Sequence, residues 1–529
     1  MTNLSSRASV KVSNAMVASS HELASFHGSK VLADGGNVVD AAIATSAVLC
    51  VTQNNLCGLG GDLFALIKFD GKILNLNGSG RASENATIDF YKKEKKLSKI
   101  PDIGPLAAPT VPGIVHAWGE LHSRFGSVEL NKLLEPAISC ARNGFPITSN
   151  YSNSIRATLR VLGIFKGWAD IFAPGGKTPD AGFVLRQNDL TNTLEQIAAE
   201  GPDTFYQGNL SEQIVNGIAK QGGLITENDL KRHKSTWQDP VKTDYRGTTI
   251  YETSPNSQAA TVLLWLNMLE EYDLKRYSAS YPTVLEIMLE TCIRAYEQRA
   301  KHIGDFELPD KFTTKQFAKD ILEHRTKRTK RPNAKRDSGD TTYFCVGRQN
   351  GDSVSVIQSN YMGFGSGLVP EGTGFVLHNR GSYFSLDENH HNSIRPGKRT
   401  FHTLCASLGE SSQKTSFTIG SMGGDIQPQV HVQLMTKILD FGMDPQVAID
   451  SPRWIIPFTI YEKPSIVYFE PESKIQSSKA KKIVRKLKLS FKEFDSFSSS
   501  TGHAQAILFK NDYLSGGADP RGDGAVVGF

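Results

Sequence analysis

Six cysteines are spread over 529 residues without one CxxC pair: Cys50, Cys57, Cys140, Cys292, Cys345 and Cys405. None has histidines at zinc-ligand spacing, which argues against a structural zinc site. The expected state is six reduced, mostly buried thiols in a cytoplasmic protein. The adjacent pair His390-His391 makes a poor chelate without a third ligand, so neither metal nor cofactor is expected. Long apolar runs are also missing. The longest, Ala41 to Val51, is interrupted by Thr45 and Ser46 and is too short to span a bilayer. The opening MTNLSSRASVKVSNAMVASSHELASF lacks the apolar core of a signal peptide, so export through a cleaved signal is not expected. Charge of one sign is scarce too: 59 Lys and Arg face 54 Asp and Glu. That balance gives no reason to expect a nucleic-acid or membrane partner.

What is present is ordinary globular composition, 39% hydrophobic and 9% aromatic, enough to bury a large core. Residues 16 to 53 read as helices broken at Gly35-Gly36, with Asp40, Ala41, Ala42, Ala44 and Ala47 forming a small-residue face. Leu63 to Phe69 and Ile73 to Leu76 flank Asp70-Gly71, a strong hairpin signal. Residues 130 to 330 read as largely helical, with loops at Pro174-Gly176 and Gly222-Gly223, one strand from Tyr245 to Tyr251 and a long helix from Val284 to His302. Then the character changes. RTKRTKRPNAKRDSGD, residues 325 to 340, is basic and without apolar periodicity, and reads as a flexible exposed linker. A second hairpin follows at once, Tyr343 to Val346 and Val354 to Gln358 around Gly351-Asp352; the chain ends on a strand-like Gly524 to Phe529.

The junction Asp340-Thr341 is where chemistry is expected. A cleavable loop runs directly into a strand whose first residue is Thr. If the bond between them is cut, Thr341 gains an α-amine beside its hydroxyl, and that amine can act as the general base. Its pKa of roughly 7.7 to 8 suits the task. Read alone, Thr341 and Thr342 are equally well two β-branched strand residues.

The surroundings decide between these. GGNVVDAAIATSAVL at 35 to 49, GLGGDLF at 58 to 64, TVPGIVHAW at 110 to 118, LNKLLEPAISCARNGF at 130 to 145 and GGLITENDL at 222 to 230 appear in that order. Beyond the linker come DTTYF at 340 to 344, QSNYMGFGSGLVPEGTGF at 358 to 375, PGKRTFHT at 396 to 403, SMGGD at 421 to 425, DFGMDPQVAIDSPRW at 440 to 454 and GGADPRGDG at 516 to 524. Together they resemble the γ-glutamyltransferase family over nearly the whole chain, and a short-loop branch of it in particular.

The resemblance implies an α+β fold, the four-layer αββα sandwich of N-terminal-nucleophile hydrolases with two central antiparallel sheets. It implies self-cleavage into intertwined, associated chains 1–340 and 341–529. Thr341 matches the nucleophile and Ser359 a hydroxyl that supports it. Gly423 and Gly424 match the oxyanion-hole pair, where glycine lets two backbone N–H groups face one oxygen. The recognition positions depart from the family. Ser79 stands where an Arg holds the substrate carboxylate, and Arg81, two residues on, is the candidate replacement. Tyr383 replaces the acid that holds the substrate ammonium, and Arg380 stands beside it. His402 and Thr403 replace a Ser pair, and Tyr361 an Asn, that contact substrate. Leu386 to Lys398 is too short for the lid of some relatives. Three functions fit: a γ-glutamyl (glutathione-like) transferase or hydrolase, an acylase for glutaryl-type N-acyl amides, or an unprocessed binding protein. The first two take a small amide substrate by one mechanism.

Overall fold

A computed structural model describes residues 7–279, 282–324, 339–412, 414–461, 465–471 and 474–529. The basic run 325–338 lies outside the described residues. Two seven-stranded sheets, antiparallel throughout, form the centre. The first runs Val10–Val12, Leu514–Ala518, Ala504–Phe509, Lys414–Ser421, Ser407–Ser411, Thr248–Glu252, Val241–Tyr245. The second runs Ala525–Gly528, Ala15–Ser19, Gly339–Arg348, Ser353–Met362, Asp62–Phe69, Lys72–Gly78, Thr236–Gln238. A small three-stranded sheet, Trp454–Ile455, Ile466–Phe469 and Ser490–Glu493, sits outside this pair.

Strand alternation builds the layers. In Gly339–Arg348, Tyr343 and Cys345 join Met16, Phe64, Ile357 and Ile507 in the space between the sheets. Phe344 and Val346 face the other way, into a core with the helices Val38–Thr52, Ile114–Phe125 and Leu130–Asn143. The first sheet is covered on its outer face by Ala260–Leu269, Pro282–His302 and Gln427–Leu439. Helix, sheet, sheet, helix is the sandwich expected from the resemblance.

The helix Val38–Thr52 shows why the small residues matter. It is buried on every side, and Asn37 and Asp40 close its start as a reciprocal capping box. Its neighbour Glu22–Ala33 approaches so closely that a Cβ on Gly28 would stand 2.1 Å from Thr45 Oγ1. The Asp70-Gly71 hairpin forms as expected, with Phe69 paired to Lys72 and both turn residues at positive φ. The hairpin after the linker is also as expected.

Three details correct the sequence reading. Ala15–Ser19 is a strand, not the start of a helix. All five of its residues are buried, so no alternation marks it. The single strand expected over Tyr245 to Tyr251 is a hairpin of Val241–Tyr245 and Thr248–Glu252, turning at Arg246-Gly247. Arg at the first turn position, φ 52°, hid that turn. Gly339 and Asp340, read as the end of the linker, already belong to the strand.

Candidate active site

Thr341 lies on a central strand, 1% exposed, with the chain continuous through Asp340. Asp340 pairs with Tyr361 and Thr342 with Gln358, so two residues of the neighbouring strand, Ser359 and Asn360, stand opposite Thr341 alone. This bulge frees Thr341 from the ladder and aims its side chain. Its Oγ1 donates to Ser359 Oγ at 3.0 Å. Ser359 Oγ in turn donates to the Asp340 carbonyl at 2.7 Å and accepts from Tyr361 N at 2.7 Å. One hydroxyl thus touches both the Thr341 hydroxyl and the carbonyl preceding it.

Gly423 and Gly424 sit across from this junction. Their φ values are +138° and +58°, backbone that side-chain-bearing residues rarely adopt. A Cβ on Gly339 would come within 2.7 Å of Gly424 Cα, so the segment before Thr341 lies directly against the glycine pair. Gln258 Nε2 holds the Gly424 carbonyl at 2.9 Å, and Ile426 N–H holds that of Gly423 at 3.2 Å. A cleft lined by Gly339, Asp340, Gly423, Asp425, Ile455 and Phe458 opens beside them.

Tyr361 connects the Thr341 junction to Arg380 and Tyr383. It holds φ +80°, a strained conformation for a tyrosine. Its ring lies 3.6 Å from the Arg380 guanidinium, which also approaches the Tyr383 ring at 5.7 Å. Arg380 is 1% exposed and donates from Nη2 to Thr403 Oγ1 at 2.8 Å, while its Nε and Nη1 have no acceptor among the described residues. Tyr383 donates its hydroxyl to both carboxylate oxygens of Asp425 at 2.9 Å, and Arg299 Nη1 holds Asp425 Oδ1 at 2.6 Å.

The remaining candidates are placed elsewhere. His402 Nε2 donates to Asp62 Oδ2 at 3.0 Å, and its Nδ1 accepts from Leu404 N. Both ring nitrogens are therefore committed within the protein, and the hydrogen-bond pattern assigns the proton to Nε2. Burial, reinforced by the charge of Arg380, lowers its pKa to about 4 against the pull of Asp62. Burial alone would raise the Asp62 carboxyl, but His378, His402 and Arg380 hold it below the usual carboxylate range. Arg81 is exposed, with Nη1 on the Gly397 carbonyl at 3.1 Å. Ser79 is buried under Asn77, and its carbonyl accepts from Arg399. The site thus brings Thr341, Ser359, Tyr361, Arg380, Thr403, Tyr383, Gly423 and Gly424 together around one junction. It adds Asp62, Gln258, Arg299 and Asp425, which sequence reading missed. Asp425 directly follows the glycine pair, and that adjacency was the one available signal. Among the described residues no cluster of His, Cys, Asp and Glu could hold a metal ion.

A sandwich of this kind, with a threonine on a central strand at a bulge, defines an N-terminal-nucleophile hydrolase architecture. The gamma-glutamyltranspeptidase family model matches residues 24–529, and the chain belongs to that family. It is 37% identical to the glutathione hydrolase-like YwrD proenzyme of Bacillus subtilis, over 97% of this chain and 98% of the relative. It is 31% identical to the oxamate amidohydrolase proenzyme of Klebsiella pneumoniae, again over 97% and 98%. The crystal structure of a cephalosporin acylase from Bacillus halodurans superposes with a TM-score of 0.91 at 34% identity, covering 99% of this chain and 97% of that one. The chain is an enzyme of this family.

Proposed function

We propose that the protein cuts itself between Asp340 and Thr341 and then hydrolyses small N-acyl amides whose acyl group ends in a carboxylate. The Thr341 Oγ attacks the Asp340 carbonyl carbon while Ser359 donates to the carbonyl oxygen. The C–N bond breaks, the nitrogen takes the hydroxyl proton, and an ester joins Asp340 to the Thr341 side chain. Water hydrolyses that ester, leaving Asp340 as a C-terminus and Thr341 with a free amine. In turnover this amine takes the hydroxyl proton, the substrate carbonyl is attacked, and the amine half leaves with a proton. Gly423 and Gly424 supply backbone N–H groups to the developing oxyanion. Water or an acceptor amine then resolves the acyl-enzyme.

The observation that carries the acyl preference is Arg380, buried, with Nε and Nη1 unpartnered among the described residues. Unpaired buried donors are costly, and a carboxylate oxygen satisfies such a donor with a charge-assisted hydrogen bond. A substrate ammonium would meet the same cation. Two unit positive charges about 4 Å apart at an effective dielectric near 20 repel by roughly 4 kcal/mol before counter-charge from Asp62 is counted. Asp425, an acid that lines the cleft, already serves Tyr383 and Arg299. These features favour glutaryl-type over γ-glutamyl groups. The γ-glutamyl reading keeps one supporting observation, because Asp425 lines the cleft. The test is the ratio of kcat/KM for glutaryl and γ-glutamyl anilides, with wild type favouring glutaryl. Arg380→Gln should move the ratio toward γ-glutamyl by roughly five- to ten-fold, a quarter to a third of the bare repulsion. A wild-type preference for γ-glutamyl that the substitution leaves unmoved would refute the acyl assignment.

A further inference from the structure

The residue after the nucleophile faces away from the site, into the helix layer. Thr342, fully buried, donates from Oγ1 to Gln53 Oε1 at 3.1 Å and contacts Ser20 Oγ. Ser20 Oγ donates to the same Gln53 oxygen at 2.5 Å, and Gln53 Nε2 returns a bond to the Ser20 carbonyl at 2.9 Å. Gln53 is itself fixed as the cap of Val38–Thr52, its N–H on Leu49. Two hydroxyls and one amide thus close a ring at 0 to 4% exposure.

We infer that the Ser20–Gln53–Thr342 cluster positions the nucleophile, both for self-cleavage and for turnover. The inference rests on Thr341 being that nucleophile. Thr341 has no ladder partner of its own, because the bulge removes it. While the chain is whole, Asp340 restrains it from one side and Thr342 from the other. Once the 340–341 bond is cut, only Thr342 remains covalently attached. The orientation of Thr341 Oγ relative to Ser359 then depends on how firmly Thr342 is held. The ladder pair with Gln358 fixes the Thr342 backbone, and the hydroxyl cluster fixes its side chain and hence the twist of the strand end. Ser20 and Gln53 lie before residue 340 and Thr342 after it, so the cluster also ties the nucleophile to the other product of the cut. A cluster acting through Thr341 should change kcat rather than KM, since Ser20, Gln53 and Thr342 neither line the cleft beside Gly423 nor touch Arg380.

Thr342→Val keeps shape and removes the hydroxyl; Thr342→Ser keeps the hydroxyl. Expected for Thr342→Val is self-cleavage slowed on the order of ten-fold or more, by a timed denaturing gel. The matured protein should show a similar fall in kcat on a glutaryl anilide, with KM within about two-fold, because small misplacements of reacting atoms are expensive. Thr342→Ser should recover most of both rates. Ser20→Ala removes the second hydroxyl without touching the nucleophile strand, and should reproduce the kcat loss if Thr342→Val does not fold. Folded Thr342→Val or Ser20→Ala with wild-type kcat and cleavage rate overturns the inference. Thr341→Ala separates the two readings. If it is uncut and inactive while Thr342→Val is normal, only the positioning role falls. If Thr341→Ala still cleaves and turns over, the nucleophile assignment falls first.

Discussion

The two ends of the site are held in different ways. At Thr341, backbone does the holding: a bulge aims the side chain, left-handed glycines shape Gly423-Gly424, and Ser359 takes a main-chain N–H and gives to a main-chain carbonyl. Around Arg380, side chains hold side chains: Thr403 on Arg380, Tyr383 and Arg299 on Asp425, His402 on Asp62. Backbone geometry tolerates few residue types, so the first end constrains sequence tightly. Side-chain pairs can be exchanged as sets, so the second end can be rebuilt for another acyl group while the chemistry stays. That division explains how one architecture accommodates relatives named as a glutathione hydrolase-like protein, an oxamate amidohydrolase and a cephalosporin acylase.

The largest effects should come from the backbone-held end. Thr341→Ala should leave one full-length chain on a denaturing gel and no detectable turnover, because the N→O acyl shift needs the hydroxyl. Two fragments, the smaller beginning at residue 341, would break the comparison at its root. Ser359→Ala should slow self-cleavage by roughly 10²-fold, the scale of losing one hydrogen bond to a developing oxyanion. Thermal melting separates this from misfolding, and a folded Ser359→Ala that matures at the wild-type rate would remove Ser359 from the mechanism.

The side-chain-held end should announce itself in acid. His402 is neutral in the fold, with its pKa lowered from 6.5 to about 4, chiefly by burial. An unfolded chain binds that proton from about pH 6.5 downward, whereas the folded one resists it until about pH 4. The stabilisation is therefore complete above pH 6.5 and is lost as pH falls toward 4, up to about 3 kcal/mol by linkage. Asp62, held below its usual range, acts in the same direction at still lower pH. Denaturant midpoints between pH 7 and 4 should fall in wild type. His402→Gln, whose amide can still donate to Asp62, should show a flatter profile. Equal slopes in the two proteins would mean that His402 takes up its proton without unfolding.

How much of this was legible follows the same division. The junction Asp340-Thr341, Ser359 and the glycine pair are short contiguous signals, and they meet in space as the resemblance implied. Both hairpins with glycine in the turn were legible for the same local reason. Ala15–Ser19 was not, since a strand buried on both faces carries no period-two pattern. Asp62 and His402 are 340 positions apart and Arg299 and Asp425 126, so nothing local in the chain announces either pair. Their place in a motif points His402 and Thr403 at the substrate. The structure instead commits His402 to Asp62 and Thr403 to Arg380, because a buried guanidinium and carboxylate need internal partners more than a substrate does.

The smallest effect should be at Arg81, and that smallness discriminates. Sequence position suggested Arg81 as the carboxylate holder, two residues from where the family places an arginine. In the fold its guanidinium is exposed, with Nη1 on the Gly397 carbonyl, while Arg380 is buried against Tyr361. An exposed arginine shares its charge with water and salt, so its pull on a distant carboxylate is weak. A buried one with open donors loses none of that strength to solvent. Arg81→Ala should therefore change KM for a glutaryl anilide by no more than about two-fold, roughly 0.4 kcal/mol and inside the range of about 0 to 1 kcal/mol for a surface charge. Arg380→Gln on the same substrate should raise KM or lower kcat/KM well beyond that. If Arg81→Ala instead costs as much as Arg380→Gln, the segment around Gly397 must swing Arg81 into the site once the chain is cut, and the acyl end would be held by a loop as well as by side-chain pairs.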